Sequence, residues 1–157
     1  MRRANLQAGL VGGAMTVGLS IIALLPYVGA CIALPLFPLV YVLIGMIAVR
    51  VSDYPAGVSE ASVGGAVAGA IAAIIGGLAA MFLAPIRLAI AGGPEELVLA
   101  LPADTIQSLV QAGLDPVAVT EFVGGIGIGM LCCIAQLTTG VLLAAVGAGL
   151  YAAYRQT

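Results

Sequence analysis

The sequence predicts an all-α fold: an integral membrane four-helix bundle with short amphipathic helices between its third and fourth spanning helices. Three observations predict it. Hydrophobic residues make up 62% of the 157-residue chain and charged residues only 8%, against roughly 25% charged in soluble domains. Too little polar surface is left to keep such a chain dispersed in water. Three stretches, residues 4–49, 61–86 and 122–154, hold no charged residue. Each is long enough to cross a bilayer, because about 20 apolar residues span a hydrocarbon layer about 30 Å thick.

The first stretch is about twice the needed length, so it folds back on itself. Pro26-Tyr27-Val28-Gly29 is the turn, since Pro and Gly punctuate helices. This puts spanning helices at about residues 7–25 and 30–50. Breaking the stretch at Pro35 instead would leave the second helix short. Pro35 and Pro38 each remove a backbone donor, so the second helix is expected to be kinked or irregular there. Arg2 and Arg3 before an apolar run, and Val28-Gly29-Ala30-Cys31, look a little like a secretion signal with a lipoprotein cleavage box. Tyr27 fits that box poorly and more membrane-like sequence follows, so a retained helix is expected.

The third helix is expected over about residues 60–84, with Ser59 or Ser62 as N-cap and Pro85 ending or bending it. The fourth lies within 122–154, longer than the layer requires, and so tilts or protrudes. Between them, residues 86–121 form the one long connection. Gly92-Gly93-Pro94 breaks it, and Pro94-Glu95-Glu96 reads as a helix start. Asp104 reads as the cap of a second short helix with Ile106, Leu109, Val110 and Leu114 on one face, and Asp115-Pro116 as a third start. Short amphipathic helices on a membrane surface fit better than a long structureless loop.

Four crossings place Arg2, Arg3, Arg50 and Arg155 on one side and Arg87 alone on the other. By the positive-inside rule both termini are cytoplasmic, and the outer segment carries Glu95, Glu96, Asp104, Asp115 and Glu121. Tyr54, Tyr151 and Tyr154 then fall at the inner interface and Tyr27 at the outer one. The location expected is the cell membrane, multi-pass. Small size and the lack of eukaryotic targeting features suggest a prokaryotic source. Val11-Gly12-Gly13-Ala14 recurs as Val63-Gly64-Gly65-Ala66, and Val123-Gly124-Gly125 is a partial third copy. A parallel duplication of a two-helix unit would explain the first pair, although matches arise easily in a chain with 22 Gly.

Small residues recur at helix-packing spacing. The candidate packing face is Gly125, Gly129, Gly140 and Gly147 on the fourth helix with Gly65 and Gly69 on the third. Lipid supplies little hydrophobic drive between helices, so close backbone approach must hold them. Gln136 is the most polar side chain deep in any helix. An unpaired amide in hydrocarbon costs several kcal/mol, so Thr16, Ser20 or Tyr41 is expected to bond it. These four residues are the candidate polar intramembrane site. Structural bonding between helices is the plainer role, and lining a substrate path is the sharper one.

Other chemistry is thin. The chain has no His, and the three Cys (Cys31, Cys132 and Cys133) are too scattered for a disulfide framework or a metal site. No cofactor or metal is expected. A net charge of −2 offers no basic patch for nucleic acid. No charge falls mid-helix, where pumps and voltage sensors usually carry one. The expectation is a non-enzymatic structural or accessory membrane protein. Its partners would be the lipid bilayer and either a second copy or other membrane subunits, met through the Gly/Ala-rich faces. The alternative is a small oligomeric transporter or channel with a polar site near Gln136 and the Pro35/Pro38 kink.

Overall fold

The computed structural model describes residues 2–25, 28–52, 57–90, 92–99, 101–123 and 127–156. Among these the chain forms seven helices: α1 (Arg2–Ile22), α2 (Val28–Val51), α3 (Val58–Ile90), α4 (Pro94–Leu99), α5 (Ala103–Gln111), α6 (Pro116–Phe122) and α7 (Ile128–Gln156). Four of them, α1, α2, α3 and α7, are long and apolar enough to cross a membrane.

Several boundaries differ from those expected. α1 ends at Ile22 rather than near residue 25, and backbone bonds from Ala23 to Leu19 and from Leu25 to Ile22 close its last turn. Gly29 then sits so close to the Ile22 carbonyl that no side chain would fit. The turn residues Pro26 and Tyr27 fall outside the described residues, as do Tyr54 and the expected packing residue Gly125. α2 runs on through Pro35 and Pro38. α3 also continues past Pro85, ending at Ile90 instead of near residue 84. A proline frees only the carbonyl four residues earlier, which a long apolar helix tolerates where the neighbouring turns remain bonded. The stop comes instead at Gly92 and Gly93, whose φ values of 103° and 85° are left-handed and favour glycine. There the Gly93 N–H donates to the Leu88 carbonyl at 2.9 Å.

The segment after α3 is helical in three short pieces, with α4 and α5 each touching α6. Asp115 caps α6, accepting from the Val117 N–H at 3.0 Å, with Pro116 in the first turn. Asp104 does not cap α5. It lies inside the first turn, after Pro102 at the N-cap, and no side-chain bond closes that end. No residue of α5 or α6 is buried. The fourth long helix is described from Ile128, and residues 124–126 before it, within the expected 122–154 span, lie outside the described residues.

Helix directions follow from the contacts. Gly9 packs beside Ile71, Gly13 beside Ile75 and Thr16 beside Gly76, so α1 and α3 run parallel. Tyr41 meets Gly140 and Gly45 meets Ala144, so α2 and α7 also run parallel. Gly65 meets Ala148, Gly69 meets Gly140 and Gly77 meets Cys133, so α3 and α7 are antiparallel. The start of α1, the end of α2, the start of α3 and the end of α7 therefore share one end of the bundle. Arg3, Arg50 and Arg155 stand at that end. Arg87 stands at the other, where its guanidinium donates to the Ser20 carbonyl at 3.3 Å.

The core is built almost wholly from small residues. Ala8, Ala48, Ala68, Ala72 and Ala73 surround Val40, Tyr41 and Ile44, while Ala61, Ala148 and Ala152 pack with Val49 nearer the arginine-bearing end. The large apolar side chains point outward: Leu34 is 75% exposed, Phe82 79% and Leu131 69%. A soluble protein has the opposite distribution. The helices approach so closely that a methyl added at Gly69 would lie 2.5 Å from the Gly140 carbonyl oxygen and 2.6 Å from the Ala144 Cβ. Gly45 sits tighter still against the Ala144 carbonyl.

Replacing Gly45 with Val forces α2 off α7, and overpacking of this kind costs about 1–3 kcal/mol. A methyl added at Gly18 would have nothing within 4 Å of it, so Gly18→Ala is expected to be neutral or slightly stabilising. Unfolding by SDS titration in mixed micelles checks both, and equal effects would contradict this packing.

Candidate functional site

Three of the four expected polar residues converge where the long helices meet. α1 contributes Thr16, fully buried, and α2 contributes Tyr41, only 1% exposed. α7 contributes Gln136, whose side-chain oxygen is buried. α3 contributes room rather than a polar group. A methyl at Gly76 would stand 2.7 Å from Thr16 Oγ1 and 3.4 Å from Gln136 Oε1. One turn along α7, a methyl at Gly140 would stand 2.7 Å from Tyr41 Cε1. Two glycines thus admit the three polar side chains. Ser20 lies one turn further along α1 and bonds its own helix, Oγ donating to the Thr16 carbonyl at 2.9 Å.

The expected bond to Gln136 does not form. Thr16 Oγ1 lies 2.8 Å from the Gly13 carbonyl, which takes its proton, and 3.4 Å from the Ala72 carbonyl of α3. A hydroxyl has one proton, and the local carbonyl a turn earlier takes it more easily than an amide across the interface. Gln136 Oε1 is left buried without a partner, and so is the Tyr41 hydroxyl. Leaving such a group unmade costs about 1–3 kcal/mol. Among the described residues the node holds no carboxylate or guanidinium, and the Cys133 thiol of α7 lies beside it against Gly77.

The expected packing glycines, other than Gly125, all turn inward. Gly65 and Gly69 face α7, Gly129 faces Met81, Gly140 faces Tyr41 and Ala73, and Gly147 lies against the Val42 backbone. Sequence reasoning overlooked Gly45, which makes one of the closest approaches, and Gly76, which lies against Thr16. Gly76 had a signal in the Gly76-Gly77 doublet, whereas Gly45, in a helix of large apolar residues, had none. What remains outward on the first half of α7 is a second small face. Cys132, Ala135 and Thr139 are exposed and lie at helical spacing on one side. Cys31, Cys132 and Cys133 are all free thiols. Among the described residues no three His, Cys, Asp or Glu side chains are placed to hold a metal ion.

No protein-family model, curated protein or solved structure matches this chain.

The unpartnered hydroxyl makes a measurable prediction. Tyr41→Phe removes a buried donor that bonds nothing and is expected to stabilise the protein by about 1 kcal/mol in SDS titration. A loss of that size instead would mean that the hydroxyl has a partner, such as a bound water.

Proposed function

We propose that this chain is a non-enzymatic structural or accessory membrane protein, multi-pass in the cell membrane of a prokaryote, that associates laterally through the outward small-residue face of α7. Four crossings put both termini in the cytoplasm, because Arg2, Arg3, Arg50 and Arg155 then share the inner side while Arg87 faces out. The short helices α4, α5 and α6 lie at the outer surface, with the apolar side of α5 against lipid headgroups.

The observation that carries the reading is how the small residues are divided. The buried glycines of α3 and α7, among them Gly65, Gly69, Gly77, Gly140 and Gly147, are consumed in holding the helices together. Cys132, Ala135 and Thr139 stand exposed, although they have the size that lets a further helix approach. Their partner is a second copy or a helix of a larger membrane complex. The Gly/Ala-rich docking face is therefore narrower than the glycine pattern alone suggests.

Cys132 supplies the test. With Cys31 and Cys133 replaced by Ala, copper-catalysed oxidation in native membranes is expected to link Cys132 to a second copy or to another subunit. Ala135→Phe should abolish that adduct while leaving the SDS unfolding midpoint unchanged. A lone monomer by native mass measurement after gentle extraction, with no adduct, refutes the proposal.

The transporter reading keeps one observation in its favour, the unpartnered Tyr41 hydroxyl and Gln136 oxygen on two facing helices. Broken or strained sites between helices are where carriers bind solutes, and Pro35 and Pro38 lie a turn or so before Tyr41 on the same helix. Solute flux into liposomes that falls with Gln136→Leu would favour it over lateral association.

A further inference from the structure

We propose that the groove between the N-terminal ends of α1 and α3 binds an amine-headed phospholipid of the phosphatidylethanolamine class. The proposal rests on the membrane-spanning reading above, which places this end of the bundle at a water–lipid interface.

The groove has a volume of about 310 Å³ and is lined by Asn5 of α1 and by Ser59, Glu60, Val63, Gly64 and Val67 of α3. Along α3 the lining passes from polar to apolar, while Asn5 of α1 lies level with Gly64, beside Val63. Ser59 and Glu60 stand in the first turn of α3, and the two valines lie one and two turns deeper. The same order, polar head and then hydrocarbon, is that of a lipid standing in a leaflet. Gly64 gives the groove its floor. The Asn5 amide lies over it, with both terminal atoms 3.4 Å from the place a Cβ would take. Below the groove the exposed side of α3 continues through Val63, Val67 and Ile74, an apolar strip along which an acyl chain would lie.

Charge selects the headgroup. Glu60 is the one acidic residue in the lining and it is exposed. A carboxylate at this position repels the phosphate of a purely anionic lipid and attracts a cationic head. Choline presents methyl groups and has no N–H to donate. An ethanolamine ammonium donates up to three hydrogen bonds, for which the Glu60 carboxylate and the Asn5 side-chain oxygen are the acceptors. The Ser59 hydroxyl and the Asn5 amide N–H supply donors for the phosphate.

The test uses the full chain, purified in detergent, exchanged with defined phosphatidylethanolamine, phosphatidylcholine or phosphatidylglycerol, and read by native mass spectrometry. Wild type is expected to retain phosphatidylethanolamine above the other two. Glu60→Gln should reduce that retention about fivefold, the upper scale of one exposed charge pair, and bring it to the phosphatidylcholine level. Glu121→Gln, at the other end of the bundle, should change nothing. Equal retention of the three lipids, a preference for phosphatidylglycerol driven by the arginines of this end, or an unchanged Glu60→Gln variant overturns the proposal. Flotation with vesicles after an alkaline wash separates this from the reading beneath it. A chain that floats but shows no lipid preference loses only the lipid site, while a chain that does not float loses both.

Discussion

The structure depends on how closely the backbones of α3 and α7 approach. In an aqueous protein, burial of large side chains drives helices together and sets their spacing. Here the large side chains face outward and the core is mostly Ala and Gly. What remains to hold the helices is dispersion between tightly apposed backbones and weak polar contacts. Those forces fall off over fractions of an ångström, so the geometry tolerates little. Gly65, Gly69 and Gly77 on α3 meet Ala148, Ala144, Gly140 and Cys133 on α7 with no space for a further methyl. α1 and α2 then pack onto this pair through Gly9, Gly13 and Gly45 by the same device.

This close packing also explains the polar node. Glycine at positions 76 and 140 leaves room for Thr16, Gln136 and the Tyr41 ring at the centre of the bundle. The same tightness leaves the Tyr41 hydroxyl and the Gln136 oxygen without partners. Thr16 satisfies itself on its own helix, because a local carbonyl is always within reach and a partner across an interface is not. An unpaired polar pair in a low-dielectric core is costly.

The two ends of the bundle differ in character. The end carrying Arg3, Arg50 and Arg155 holds the groove beside Glu60. The opposite end carries three short helices, of which α5 and α6 bury no residue. There Arg87 of α3 reaches the Ser20 carbonyl of α1. That bond joins the two helices near the end of α1, and it uses the one arginine that the charge asymmetry left on this side.

The all-helical fold and four helices long enough to cross a membrane were legible in composition and in the length of the charge-free runs, because both are properties of a segment by itself. So was the Asp115 cap, whose chemistry is local. Legible too was the set of polar residues at the node, since Gln136 and Thr16 stand out against apolar neighbours whatever their surroundings. The ends of α1 and α3 and the failure of Asp104 to cap α5 were not legible, because neighbouring turns outweigh a single breaker or cap. Nor was the direction of the glycine faces. Spacing along one helix identifies a small-residue stripe, but only the partner helix decides whether that stripe is consumed inside the bundle, as at Gly69 and Gly147, or left outside, as at Ala135 and Thr139. The sequence by itself determined which segments are helical and how long they are. The tertiary structure decided which faces touch and which polar atoms go unpaired, because contact depends on the relative placement of helices that no single segment contains.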